Sequence, residues 1–173
     1  KEDAFDPAGA LARTRSRVYD SLNRLAQEVG AAAQATTHGY DGNGMLTSVT
    51  APGASPDIRS YHYESSVAWW LLTGITINGT RYSTYSYYAD QRVKESGLAG
   101  GEERDTFAYG SNQTTVTSAA GLATTYQLTL IGTSLRPISV SRAATGSCPA
   151  AAASTVYDAN GYIDYTLDWN GNR

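Results

Sequence analysis

The chain has 173 residues, formal net charge −3 and a sequence pI near 5.3, so it carries no basic field of the kind that binds nucleic acid by releasing counterions. Its large side chains are mostly polar-tipped, with 13 Tyr against 3 Trp and 2 Phe, and Thr is common, which favours strands over helices. The longest uncharged run, between Asp105 and Arg136, is rich in Thr, Ser and Gly and reads as no membrane span.

Cys148 is the single cysteine, so no intrachain disulfide can form. The first residues, Lys1-Glu2-Asp3-Ala4, lead into turn residues rather than an apolar leader, and the missing initiator Met suggests a piece of something longer.

A short pattern, Tyr-Asp-x-x-Gly-x-Leu, recurs along the chain. Phe5-Asp6-Pro7-Ala8-Gly9-Ala10-Leu11 carries it with Phe for Tyr, and Tyr19-Asp20-Ser21-Leu22-Asn23-Arg24-Leu25 carries it with Asn for Gly. The clearest copy is Tyr40-Asp41-Gly42-Asn43-Gly44-Met45-Leu46, followed by the alternation Leu46, Ser48, Thr50 against Thr47, Val49. Each copy predicts a hairpin. The Asp accepts backbone amides within the turn, and Gly or Asn supplies positive φ. Between Leu22 and Ala35 a helical spacing competes, but the repeat register makes Leu25–Val29 a return strand and Gly30–Gln34 a connection.

The middle copies are degenerate. Tyr63-Glu64 precedes an irregular segment holding Trp69-Trp70, and Tyr87-Tyr88-Ala89-Asp90-Gln91-Arg92-Val93 lacks the Asp and Gly at their places. There Val67, Tyr88 and Gln91 replace the usual turn residues. Tyr109 and Leu128 anchor two weak copies, with a break expected over Thr133–Pro137 and a loop over Ser147–Ala153. Tyr157-Asp158-Ala159-Asn160-Gly161 restores the pattern. Anchors at 5, 19, 40, 63, 87, 109, 128 and 157 recur about every 22 residues, enough for two strands and two turns each. The expected fold is all-β: about eight consecutive antiparallel hairpins in a single repeat region, 1–173.

These strings resemble the tyrosine-aspartate (YD) repeats of the Rhs family of large bacterial proteins, shared with animal teneurins. The connecting pieces Gly121-Leu122-Ala123-Thr124-Thr125-Tyr126 and Asp168-Trp169-Asn170-Gly171-Asn172-Arg173 also resemble the family, the latter as the start of a linker into a further repeat. The resemblance implies a long strip of hairpins curving into a hollow shell around a C-terminal toxic domain. It implies flanking repeats and that domain as partners, and export to the cell surface or beyond by a secretion apparatus. A second implied role is carbohydrate recognition at the cell surface. An isolated piece of such a strip is expected to associate edge to edge.

Candidate chemistry is thin. His38 and His62 precede repeat tyrosines and would make a metal pair or simply fill aromatic slots. Asp41-x-Asn43-Gly44, Asp158-x-Asn160-Gly161 and Asp168-x-Asn170-Gly171 resemble half of a calcium loop without its distal carboxylate, so turn stabilisation is expected. Asp6-Pro7-Ala8-Gly9 resembles the Asp-Pro-x-Gly element of shell self-cleavage, but the paired second copy is missing and a Pro turn is expected. Glu102, Glu103 and Asp105 fall in a Gly-rich connection with Gly97-Leu98-Ala99-Gly100-Gly101 and read as a solvated loop rather than an acid/base pair. No Gly-x-Ser-x-Gly elbow or Cys/His motif occurs, so no catalytic residue, metal site or cofactor is expected. The structural turn set is Asp6, Gly9, Asp20, Asn23, Asp41, Gly44, Asp158 and Gly161. Trp69 and Trp70 are the candidate contact residues; as neighbours on a strand they face opposite ways, so at most one is core, and they read either as packing or as an exposed aromatic platform for a sugar or an enclosed polypeptide.

Overall fold

The computed structural model describes residues 2–5, 7–9, 11–30, 33–144, 146 and 149–173, with backbone alone at 2, 4, 5 and 11–14. Asp6 and Cys148 therefore lie outside the described residues. The chain forms two compact units, 1–84 and 85–173. The first holds β1 (Glu2–Phe5), β2 (Leu11–Tyr19), β3 (Leu25–Val29), β4 (Ala35–Tyr40), β5 (Leu46–Thr50), β6 (Ile58–His62) and β7 (Gly74–Ile77). Strand β8 (Thr80–Tyr87) runs across the boundary. The second holds β9 (Val93–Leu98), β10 (Asp105–Gly110), β11 (Gln113–Thr117), β12 (Ala123–Ile131), β13 (Ser134–Arg142), β14 (Ala151–Tyr157) and β15 (Ile163–Leu167).

Spatial order follows chain order from β1 to β15, so the sheet is open and each end strand has one neighbour. No described residue is helical. Leu25–Val29 pairs with both β2 and β4, which settles the competing helical spacing in favour of a strand.

A one-residue bulge precedes most anchors. Tyr19 pairs with Leu25 but Val18 with Gln27; Tyr40 pairs with Leu46 but Gly39 with Ser48; Tyr157 pairs with Ile163 but Val156 with Tyr165. The extra residues are Ala26, Thr47 and Asp164. This corrects the simple alternation expected over Leu46–Thr50. Residues directly opposite share a face, so the bulge at Thr47 puts Val49, opposite His38, on the side of Leu46 and Tyr40. In the first unit that face continues through Arg59, Tyr61, Ile75 and Ile77, while Thr37, Ser48, Ser60 and Thr76 line the other. In the second unit Phe107, Val116, Tyr126 and Val140 share one face, and Thr115, Thr125, Gln113, Gln127 and Ser154 the other.

Among the described residues only Ala68, Gly74, Ser83 and Gly161 are buried. Each unit is thus one sheet thick, with no second layer closing a core. Its stability comes from lateral strand pairing and from side chains lying along the sheet, summed over neighbours as in other repeat arrays.

Several expectations change. The turn after Phe5 lies at the opposite end of β2 from the turn after Tyr19, so the Phe5 copy is offset by one strand from the Tyr19 copy. Tyr63 closes no short turn: β6 stops at His62 and a loop runs to Thr73. A further hairpin, β7–β8, turns at Asn78-Gly79, where φ is +50° and +82°, the two-residue geometry that suits strand twist. Leu128 keeps an anchor's bulge but lies inside β12; the reversal comes at Gly132-Thr133, with Gly132 at φ +61°. No break occurs over Ser134–Pro137, because Pro137, which lacks an N–H, sits opposite Leu128 at the bulge and the ladder tolerates it there. Ala151–Ala153 belong to β14, not to a loop, because pairing with Val140–Arg142 outweighs alanine's weak strand preference. Gly97 and Leu98 likewise end strand β9 rather than joining the connection.

Candidate functional site

With almost nothing buried, the features that position side chains are the turns and the bonds between hairpins. One five-residue loop recurs. In 41–45 the Asp41 N–H donates to the Met45 carbonyl at 3.0 Å, and the Gly44 N–H donates to the Asp41 carbonyl at 3.1 Å. Gly44 sits at φ +85°. The Asp41 Oδ1 accepts the Asn43 and Met45 amides at 2.9 and 2.8 Å. Asp20, Asp158 and Asp168 repeat this Oδ1 double acceptance within their loops, with Asn23, Gly161 and Gly171 at positive φ. Gly9 also has φ +80°.

The same backbone loop closes connections that lack the Asp. Gly30–Gln34, Leu98–Glu102 and Ser118–Leu122 show both hydrogen bonds, with Ala33, Gly101 and Gly121 at positive φ. So does Tyr88–Arg92, where Gln91 at φ +68° does the work of glycine. The regularity of this degenerate copy is therefore a backbone property. It persists without the side chains that made it readable.

Three turn carboxylates, Asp20, Asp90 and Asp168, are held in their charged form. Amide donation, first from the Arg24 backbone, keeps Asp20 below its ordinary value of 3.8, and donation from the Asn172 backbone does the same for Asp168. Asp90 is lowered chiefly by the Arg92 side chain. Partial burial raises Tyr63, Tyr87 and Tyr109 above 10.0.

A set of latches joins hairpins that follow one another. The Tyr40 hydroxyl donates to the Leu25 carbonyl at 2.9 Å, Tyr63 to Leu46 at 3.0 Å and Tyr157 to Pro137 at 3.1 Å. Each acceptor lies on the return strand of the preceding hairpin, Leu25 and Leu46 at its first residue and Pro137 at the bulge within β13. Tyr63 thus keeps an anchor's bond although its own loop is irregular. Arginine closes the latch. Arg24 lies 4.5 Å over the Tyr40 ring while its Nε donates to Asp20 Oδ2 at 2.7 Å. Arg92 lies 4.3 Å over Tyr109 and donates to Asp90 at 2.7 Å; Arg136 lies 5.6 Å over Tyr157 and donates to the Gly161 carbonyl at 2.8 Å. Sequence reading missed these arginines. The available signal was an Arg directly before the return-strand residues Leu25, Val93 and Pro137.

Trp69 and Trp70 sit in a turn of the 63–73 loop, not on a strand, so the argument from alternate strand faces does not apply. Both are about half exposed, at 50% and 46%, and their rings meet edge to face at 5.3 Å and 85°. Ala68, which precedes the pair in the chain, is buried. His38 and His62 do not form a pair: His62 Nε2 lies 2.7 Å from the Thr76 hydroxyl, and His38 Nδ1 is enclosed without a hydrogen-bond partner. Among the described residues no group of three or more His, Cys, Asp or Glu could hold a metal ion. The turn Asp Oδ1 atoms already accept two amide protons each, which explains why the half-loop strings serve as turns. Glu102 and Glu103 are exposed.

Hollows on the sheet include one of about 430 Å³ lined by Tyr88, Asp90, Arg92 and Tyr109, one of about 230 Å³ lined by Arg92, Tyr109, Gln113, Leu128 and Leu135, and one of about 220 Å³ lined by Arg59, Tyr61, Ile75, Ile77 and Tyr82.

The RHS Repeat family model matches residues 19–56, the span of the Tyr19 and Tyr40 hairpins. Among solved structures the chain is similar to TcdB2-TccC3-TEV, with 11% identity and a TM-score of 0.56, over 96% of this chain and 12% of that one. It also aligns with TcdB2-TccC3-Cdc42 at 12% identity and a TM-score of 0.48, over the same shares of each chain. The first likeness is one of fold, and the chain spans about an eighth of that structure's length. No curated protein sequence matches the chain. Among the described residues no helix is long and apolar enough to cross a membrane.

Proposed function

We propose that the chain, whose residues 19–56 match the RHS Repeat family model, is a non-catalytic stretch of wall in a hollow β-shell that encloses a toxic polypeptide until delivery outside the cell. The observation that carries this reading is the latch between hairpins. A tyrosine hydroxyl bonds to the backbone of the preceding hairpin at Tyr40, Tyr63 and Tyr157, and an arginine lies over the ring at Tyr40, Tyr109 and Tyr157. Such bonds extend a sheet sideways without a second layer, which is what a wall one sheet thick needs. An enzyme would need a concave site with convergent reactive groups, and the turn carboxylates here are spent on backbone amides. The partners in this reading are the flanking repeats and the enclosed polypeptide, and the destination is the cell surface or the exterior.

Limited proteolysis of the full-length protein that carries this segment tests the proposal. An enclosed polypeptide should resist a protease that cuts it at once after the wall is denatured. Equal cutting before and after denaturation would sink the reading.

A second reading rests on the exposed edge-to-face pair Trp69 and Trp70, which offers an aromatic surface for a sugar ring. Reproducible sub-millimolar binding on a glycan array, lost in Trp70→Ala, would support it.

A further inference from the structure

The hollow lined by Arg59, Tyr61, Ile75, Ile77 and Tyr82 holds a guanidinium with no acidic partner among the described residues. Arg59 stands on β6 opposite Val49 on one side and Ile77 on the other, and Tyr61 stands opposite Ile75. These residues therefore share the aromatic and aliphatic face of the first unit. With Tyr82, which is 54% exposed, they line about 220 Å³ of open concavity. The neighbouring carboxylates are engaged elsewhere. Asp57 accepts the Asn78 amide at 2.8 Å, and Glu64 pairs with Arg81 at 3.2 Å. Among the described residues no acid pairs with Arg59, whereas Arg92, in the larger hollow, is held by Asp90 at 2.6 Å.

We propose that Arg59, Tyr61, Ile75, Ile77 and Tyr82 form a cradle for an acidic–aromatic segment of the enclosed polypeptide, an inference that rests on the wall reading and assigns this face to the interior. The chemistry selects the occupant. A lone guanidinium takes a carboxylate. The two phenol rings and two isoleucines take an aromatic or branched side chain beside it. The volume lies below the roughly 300–1,000 Å³ of drug-sized ligand sites, which suits one side chain rather than a cofactor. A single Arg on a chain of net charge −3 does not suit nucleic acid.

The test titrates the 173-residue chain with acetyl-Asp-Phe-amide and acetyl-Lys-Phe-amide, following the Ile75 and Ile77 methyl signals by NMR. The acidic peptide should shift both methyls and bind at least tenfold tighter than the basic one. Arg59→Gln should weaken the acidic peptide at least tenfold, and Arg59→Lys should retain most of the binding. Equal binding of the two peptides, or shifts confined to other residues, overturns the cradle. If Arg59→Gln fails to fold, the Lys variant and the two peptide charges decide alone. Loss of the preference while the enclosed polypeptide of the full-length protein stays shielded overturns the cradle and leaves the wall. Retention of the preference in a protein that shields nothing upholds the site and overturns the wall.

Discussion

At the scale of single residues, the turn glycines divide by conformation rather than by exposure. Gly161 has φ +83°, and a Cβ there would lie 2.9 Å from Ile131 Cγ2. Gly161→Val should therefore lower stability by more than about 1 kcal/mol, since a β-branched residue resists positive φ and also meets a neighbour. Gly42, in the equivalent type of loop, has no positive φ and open space around it, so Gly42→Ala should change stability by less than about 0.5 kcal/mol. Thermal melts of the two variants check the contrast, and equal losses would refute the assignment of the left-handed position. The carboxylates add a pH dependence. Asp20, Asp90 and Asp168 are all lowered from 3.8, so below that value the unfolded chain binds protons that the folded chain resists. Their contribution is present above 3.8 and is lost as pH falls through the folded values. The melting temperature should drop between about pH 5 and about pH 3. Asp20→Asn, whose amide oxygen still accepts the Leu22 and Arg24 amides, should drop less.

At the scale of the hairpin, the latch predicts coupling between turns far apart in sequence. Tyr40→Phe removes the bond to the Leu25 carbonyl and should cost about 0.5–1.5 kcal/mol. A double-mutant cycle between Arg24→Met and Tyr40→Leu should show a coupling of about 0.5–1 kcal/mol for the guanidinium over the ring. Additivity within about 0.3 kcal/mol would leave the Arg24 contact without energetic meaning. This scale also explains what could be read from the sequence. Tyr40-Asp41-Gly42-Asn43-Gly44 was legible because two chemical demands, a side-chain acceptor and a left-handed residue, fall on fixed positions. Gly30–Gln34 and Leu98–Glu102 make the same loop with backbone bonds alone, and Ala33 at φ +56° carries no compositional mark. The bulge at Thr47 was hidden for the same reason: no residue type is required there, and only the pairing of Tyr40 with Leu46 reveals it. Pro137 misled because a proline in mid-strand normally argues against a strand, yet the bulge beside Leu128 gives its missing N–H a harmless place. Trp69 and Trp70 were conspicuous as a dipeptide, but their exposed, mutually packed turn depends on a loop whose course no local pattern encodes.

At the scale of the molecule, the governing fact is that β1 and β15 each have one strand neighbour. An uncovered strand edge presents alternating N–H and C=O groups that another strand can satisfy, and natural sheets protect such edges with charge, proline or bulges. The outer strand β15 reads Ile163-Asp164-Tyr165-Thr166-Leu167, with Ile163 61% exposed and a single charge, Asp164, at its bulge. Asp164 protects this edge only in part, because its carboxylate lies 4.0 Å from the Arg173 guanidinium and the pair is locally neutral. The isolated chain should therefore associate with rising concentration, pairing edge to edge. Sedimentation velocity over a concentration series should show a growing dimer fraction. Ile163→Lys places a second, uncompensated charge on the edge and should shift that equilibrium towards monomer without lowering the melting temperature, because Ile163 is mostly in water already. A chain that remains monomeric at every concentration would show that these edges are protected by features other than charge and would remove edge pairing as the means by which such a segment joins its neighbours.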